Sequence, residues 1–153
     1  MIRVGVISDT HGLLRPQALA QLAGSDYIIH GGDIGNPEIL DQLAAIAPLT
    51  VVRGNNDRAQ WARDIPATAT LDLGAVQLYA LHNINELAID PAAAGIRAVI
   101  FGHSHTPKAN WRGDVLYLNP GSAGPRRFKL PVSVAELLVD GPTVSARIIE
   151  LDI

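Results

Sequence analysis

Short apolar runs, each ended by a polar loop containing glycine or asparagine, recur along the chain and predict its elements. Ile2 to Ser8 stops at Asp9-Thr10-His11-Gly12, the pattern of a buried strand that runs into a loop. Pro16 opens a helix to about Ala23, because proline at the first helical position lacks only an N–H that has no partner there. Gly24-Ser25 ends it, and "DYIIHGGD" is a second strand and loop. Asn36 is placed as an N-cap, with Pro37 at the first helical position and Glu38 favourable to the helix dipole. Ile39, Leu40, Leu43, Ala44 and Ala47 give this second helix one apolar stripe, and Pro48 stops it. "LTVVRGNND" is the third strand.

The pattern then changes. The first part reads βαβαβ, the sign of parallel strands. From Ala67 to Leu73 apolar and polar positions alternate, which predicts a half-buried strand that turns at Gly74 into "VQLYALH". "IRAVIFGH", "VLYLNPG", "PVSVAELLVD" and "TVSARIIEL" follow as strands, the last two joined at Asp140-Gly141. Two packed sheets are expected, mostly parallel early and mostly antiparallel late, with helices outside.

Composition narrows the chemistry. The 153 residues, 48% hydrophobic and 18% charged, suit one domain over 1–153. With no cysteine, any metal must be held by nitrogen and oxygen. A net charge of −3 argues against a duplex nucleic acid partner. No apolar run approaches the roughly 20 residues of a membrane span, so no membrane partner is expected. "MIRVGVISDT" reads as a strand rather than a signal peptide, so the mature chain is expected to begin at or near Met1, in the cytoplasm.

The loops after the apolar runs share a theme. They carry Asp9 and His11, Asp33, Asn55-Asn56-Asp57, His82, and His103 with His105. Open α/β folds place ligands beyond the carboxyl ends of their strands. Carboxylates, imidazoles and an amide suit borderline divalent ions. In an extended backbone residues i and i+2 point to one side, so His103 and His105 can share a small volume. "DTH", "GGD", "GNND", a lone downstream histidine and "GHSH", in this order, resemble the blocks of the calcineurin-like metallophosphoesterases. The chain is most similar to their small bacterial and archaeal phosphodiesterase branch, and "LYLNPGSAGPRR" resembles the loop that follows the blocks there.

The resemblance implies an α/β fold: a four-layer α-β-β-α sandwich with two packed mixed sheets. It also implies two divalent metal ions, Asp9, His11 and His105 holding one, Asn55, His82 and His103 the other, and Asp33 bridging both. Manganese leads, with Fe, Ni or Zn as alternatives. Such a pair lowers the pKa of bound water and clamps the attacking and leaving oxygens of an in-line displacement. Two carboxylates and a hydroxide between the ions leave about one positive charge for a phosphate anion. The implied activity is a metal-dependent phosphoesterase, a phosphodiesterase first, with a small phosphate ester, nucleotide-like or not, as partner. A homo-oligomer stays open.

Two departures from the family pattern matter. Asn56 stands where many relatives carry the histidine thought to protonate the leaving group. Diesters with fairly acidic leaving groups are then expected, or a water on a metal as the proton source. Asn56 and Asp57 are the catalytic candidates of that loop, Asp57 either orienting a ligand or holding the loop. In "LHNINEL" Asn83 and Ile84 replace the Gly-His pair of relatives. His30 is expected to support Asp33 by hydrogen bonding, a satisfied core histidine being the alternative. Arg58, Ser122, Arg126 and Arg127 are candidates for phosphate contact. Trp61 and Trp111 read as packing or interface residues. The rival from another class is a protein-binding scaffold, as in the small subunit of retromer, which keeps this fold while its surface engages partners.

Overall fold

The computed structural model describes residues 1–153. β1 (Ile2–Ile7), β2 (Tyr27–His30) and β3 (Leu49–Val51) are parallel neighbours, with α1 (Pro16–Leu22) and α2 (Pro37–Ala44) as their crossovers. The predicted caps are present. Pro16 and Pro37 begin the helices, Gly24 follows α1 at φ 81°, and the Asn36 side chain accepts from the Glu38 N–H at 2.8 Å. The apolar stripe of α2 buries Ile39 and Leu43.

The second sheet contains β4 (Thr68–Asp72), β5 (Gln77–Leu81), β6 (Ile96–Ile100), β7 (Lys108–Arg112) and β8 (Val115–Asn119), in the order β4-β5-β6-β8-β7. Here β5, β6 and β8 run parallel, while β4 and β7 pair antiparallel at the two edges. The final hairpin, β9 (Ser133–Asp140) and β10 (Thr143–Glu150), returns to the first sheet and pairs antiparallel with β1, giving β10-β9-β1-β2-β3. Each sheet is therefore mixed, and the parallel-to-antiparallel change along the chain does not coincide with the division between sheets.

Two faces of apolar side chains close on each other. Val4, Val6, Ile29, Leu137 and Val139 of the first sheet meet Leu78, Ala80, Ile100, Leu116 and Leu118 of the second in one core. The outer face of the first sheet packs Ile7, Ile28 and Val134 against Ala18, Leu22, Ile39 and Leu43 of the helices. The outer face of the second sheet, with Val99, Phe101 and Tyr117, is covered by Ile84 and Leu87. These belong to a 3-10 turn, Ile84–Glu86, and its exit, so the fourth layer is thin and contains no α-helix. β7 is the strand that the apolar pattern does not reveal. It is an edge strand whose residues are exposed or half-buried throughout, so no alternation marks it.

Candidate metal centre

All five loops of interest leave the carboxyl ends of strands and meet where the two sheets pack: Asp9 and His11 after β1, Asp33 after β2, Asn55 after β3, His82 after β5, and His103 and His105 after β6. The turns are abrupt. Six non-glycine residues adopt a positive φ, and five are Asp9, His11, Asp33, His103 and His105, at 45° to 73°. The left-handed region costs such residues of order 1 kcal/mol or more each. Its concentration on these side chains marks a place where local geometry yields to the direction in which a functional group must point.

Asp9, Asp33, His82 and His105 are buried; His11 is half-buried; Asn55 and His103 lie at the exposed rim. His11 Nε2 lies 3.2 Å from His105 Nε2, 3.7 Å from Asp9 Oδ1 and 3.7 Å from Asp33 Oδ2. His105 Nε2 is 3.5 Å from Asp9 Oδ1. His82 Nε2 is 3.2 Å from Asp33 Oδ2 and 3.9 Å from Asp9 Oδ1. Donor atoms of Asp9, His11 and His105 form one group, and those of Asp9, Asp33 and His82 form another. Both carboxylates thus reach both sides of the cluster, Asp9 as well as Asp33. Asn55 Oδ1 and His103 Nδ1 pair at 3.2 Å and join the rest through the His103 ring, edge-on to His82 with 5.2 Å between centroids.

The donor set fits divalent cations. Asp9 Oδ1 and His82 Nε2, which face each other across the cluster, are buried without a hydrogen-bond partner, an arrangement that costs about 1–3 kcal/mol per group unless something binds there. His82 donates from Nδ1 to the Gly31 carbonyl at 2.7 Å, which directs Nε2 at the carboxylates. Two glycines permit the approach. A Cβ on Gly54 would run into the Asp33 carboxylate, and one on Gly102 would run into Ser8 and Asp9.

Electrostatics within the protein point the same way. Burial raises the Asp9 carboxyl above its usual range, against the lowering pull of His82 and Ser8. Burial acts on Asp33 too, but the close approach of His82 Nε2, the Asn56 N–H bond, and the His82 and His11 charges hold it down at about 2. His82 is raised in spite of its burial, by Asp33 and Asp9. A buried proton on His82 between two carboxylates sits in a field that favours positive charge. Burial, then Arg127 and His11, push His105 down to about 4, so it stays a neutral donor.

Hydrogen bonds distinguish the groups around the cluster. Asn56 donates its N–H to Asp33 Oδ1 at 2.9 Å and its amide to Oδ2 at 3.1 Å, so it positions that carboxylate. Asp57 is not brought to the cleft as a reacting group. Its buried carboxylate accepts the N–H groups of Asp33, Ile34, Gly35 and Gly54, tying the "GGD" loop to the "GNND" loop. Ser122 is likewise turned away from any substrate, buried with its hydroxyl donating to the Asp9 carbonyl at 2.9 Å. Arg58 and Arg126 are exposed, and Arg58 Nε donates to the Asn55 carbonyl at 3.1 Å. His30 is fully buried, and its Nδ1 accepts from the Gly32 N–H at 3.0 Å. That leaves Nε2–H to donate to Thr10 Oγ1 at 3.0 Å, while the threonine donates to the Ile34 carbonyl. His30 therefore braces the loops that carry Asp9 and Asp33 without contacting either carboxylate, and burial followed by the His82 charge pushes it down to about 3.

Three supporting residues are not apparent from sequence reasoning. Ser8 donates to Asp9 Oδ2 at 2.7 Å, Thr10 links His30 to Ile34, and Asn119 donates to the Gly102 carbonyl and Ser104 Oγ. A small hydroxyl on each side of Asp9 is the available signal for the first two.

Two packed mixed sheets with carboxylates and imidazoles gathered at their strand ends define a metallophosphoesterase-fold protein. The model of the calcineurin-like phosphoesterase superfamily domain matches residues 2–141, and the chain belongs to that family. It is 33% identical to the probable metallophosphoesterase MJ0623 of Methanocaldococcus jannaschii, over 90% of this chain and 76% of that one. It is 26% identical to the phosphodiesterase YfcE of Escherichia coli K12, over 90% and 88% of the two chains. The structure of Vacuolar Protein Sorting 29 from Cryptosporidium parvum superposes with a TM-score of 0.80 at 18% identity, covering 99% and 98% of the chains, a likeness of fold alone. The chain is thus a metal-dependent phosphoesterase by family, and its candidate ligand groups are those described above.

Proposed function

We propose that this chain is a phosphodiesterase that works with two divalent metal ions. Asp9, His11 and His105 hold one ion, Asn55, His82 and His103 hold the other, and Asp33 is shared. The observation that carries this reading is the convergence of Asp9, Asp33, His11, His82 and His105, with Asp9 Oδ1 and His82 Nε2 buried and unpartnered among them. When bound, a pair of divalent ions supplies an activated water and the positive charge that phosphoryl transfer to water needs. The protein's own part is to fix both carboxylates, aim His82 Nε2 at them through the Nδ1 bond to Gly31, keep His105 neutral by burial, and leave the rim at Asn55 and His103 open to a small phosphate ester. Manganese is the first metal to try, with iron, nickel and zinc beside it.

Asn56 changes what the site can do to the leaving group. It is an amide engaged with Asp33 and supplies no acidic proton, so diesters with acidic leaving groups are the favoured substrates. The experiment is hydrolysis of bis(4-nitrophenyl) phosphate by metal-stripped protein restored with each cation in turn, beside Asp33→Ala and Asn55→Ala. Metal-restored activity that both substitutions abolish is the expected result. A folded protein inactive with every cation would favour the scaffold reading, to which the Vps29-like fold is equally suited. Better turnover of alkyl phosphomonoesters than of aryl diesters at all pH values would refute the leaving-group argument.

A further inference from the structure

Beside the Asn55 loop lies a cleft of about 520 Å³ lined by Arg53, Asp57, Arg58, Ala59, Gln60 and Arg63. Three guanidinium groups border one space in a chain whose net charge is −3. None of the three is in an ion pair. The arginine ion pairs of the molecule are those of Arg3 and Arg147 with Glu136. Asp57, in the cleft wall, directs its carboxylate to backbone N–H groups instead. Three like charges around one concavity repel each other and create a local positive potential, which an anion relieves.

The arrangement is held in place. Arg58 Nε donates to the Asn55 carbonyl at 3.1 Å, and Arg53 Nη1 donates to the Arg63 carbonyl at 3.4 Å. These bonds orient two guanidinium forks and leave further N–H donors free for phosphoryl oxygens. Arg63 follows a 3-10 turn, Gln60–Ala62, in which Ala62 is fully buried and Trp61 packs on the helix-side core. Arg53 also lines a second cavity of about 200 Å³ together with Asn55 and His82, so the arginine cleft adjoins the metal cluster.

We propose that the Arg53–Arg58–Arg63 cleft is a second anion subsite, which holds the distal phosphate of a substrate carrying two or more phosphoryl groups. The substrate assignment rests on the phosphodiesterase reading above, while the cleft's affinity for an oligophosphate does not. A substrate spanning both regions presents its scissile phosphate to the metal cluster and its second phosphate to the arginines. That distinguishes an oligophosphate ester or phosphorylated nucleotide from a simple diester.

The test is isothermal titration of metal-free protein with tripolyphosphate and, separately, with inorganic phosphate at low ionic strength. Tripolyphosphate is expected to bind saturably and more tightly than phosphate, and to weaken as salt rises. Arg58→Gln and Arg63→Gln are each expected to weaken it about tenfold, while Arg147→Gln on β10, at the opposite edge of the first sheet from β3, leaves it unchanged. Circular dichroism checks that each variant is folded. In the metal-loaded enzyme Arg63→Gln should raise KM, with little change in kcat, for a diester bearing a second phosphoryl group. Absence of saturable binding, or binding indifferent to both arginine substitutions, overturns the subsite even if diesters are hydrolysed. Arginine-dependent binding in a protein that hydrolyses no diester supports the cleft and overturns the phosphodiesterase reading instead.

Discussion

The two sheets bring different chemistry to the same place. Loops of the first sheet carry both carboxylates of the cluster, Asp9 and Asp33, with His11 and Asn55. Loops of the second carry only imidazoles, His82, His103 and His105. The loops of the first sheet are braced across one another by the backbone bonds of Asp57 and by the His30–Thr10 pair. Those of the second are tied to each other by the Gly102 N–H to the His82 carbonyl, to β8 by Asn119, and to the first sheet by His82 Nδ1 on the Gly31 carbonyl and the His103 N–H on Asp9 Oδ2. Negative charge thus sits on the cross-braced loops of the first sheet, and imidazoles close over it from the second. Neither sheet holds a complete ligand set, so the core between them is part of the site.

The largest effect should come from the charged half. Asp33→Ala is expected to lower kcat/KM for bis(4-nitrophenyl) phosphate by at least about 10³-fold, since in the proposed centre several kcal/mol of transition-state charge stabilisation depend on the ions Asp33 would hold. His103→Ala, at the exposed rim of the other half, should cost less and act mainly through weaker binding of one metal. Equal losses from both would erase the contrast between the sheets.

Bracing comes next. Asp57→Ala leaves buried N–H groups of two loops without an acceptor and is expected to cost about 3–5 kcal/mol in urea unfolding of the metal-free protein. Asn56→Ala removes one hydrogen bond to Asp33 and should weaken metal binding about 10–100-fold, read by titration calorimetry, with a much smaller change in stability. A larger stability loss for Asn56→Ala than for Asp57→Ala would reverse the roles assigned to them.

The last effect, read against pH rather than in activity, separates His30 from the ligands. Its folded-state pKa is about 3 against an ordinary 6.5. Between those values the unfolded chain takes up a proton that the folded one refuses. Its contribution is therefore fully present above pH 6.5 and is lost as pH falls toward 3, by about 1.4 kcal/mol per pH unit. In His30→Gln that part of the acid sensitivity of metal-free protein should disappear. An unchanged slope would show that His30 is not the buried neutral group described.

Most of the fold, and the convergence of the candidate carboxylates and imidazoles, is legible in the sequence, for a physical reason. Asp9, Asp33 and the "GHSH" pair each end an apolar run, and a strand that stops at a polar loop displays that loop at a sheet edge. The arginine cleft is not legible, because Arg53 and Arg63 look like solvated surface residues until the 3-10 turn between them brings them to one space with Arg58. Ser122 misleads in the other direction. A serine beside glycines suggests phosphate contact, yet its isolated bridge to Val132 at the end of β8's loop buries it under Asp9. The thin cover over the second sheet is hidden too, because "NINELAID" carries no helical stripe, only Ile84 and Leu87 turned inward.

Anomalous diffraction at the manganese edge, from crystals grown with excess Mn²⁺, tests the joint cation site of the two sheets most directly. Two peaks are predicted, both touching Asp33, one beside His11 and His105 and the other beside His82, Asn55 and His103. Peaks confined to residues of a single sheet, or none within reach of Asp9 and Asp33, would contradict it.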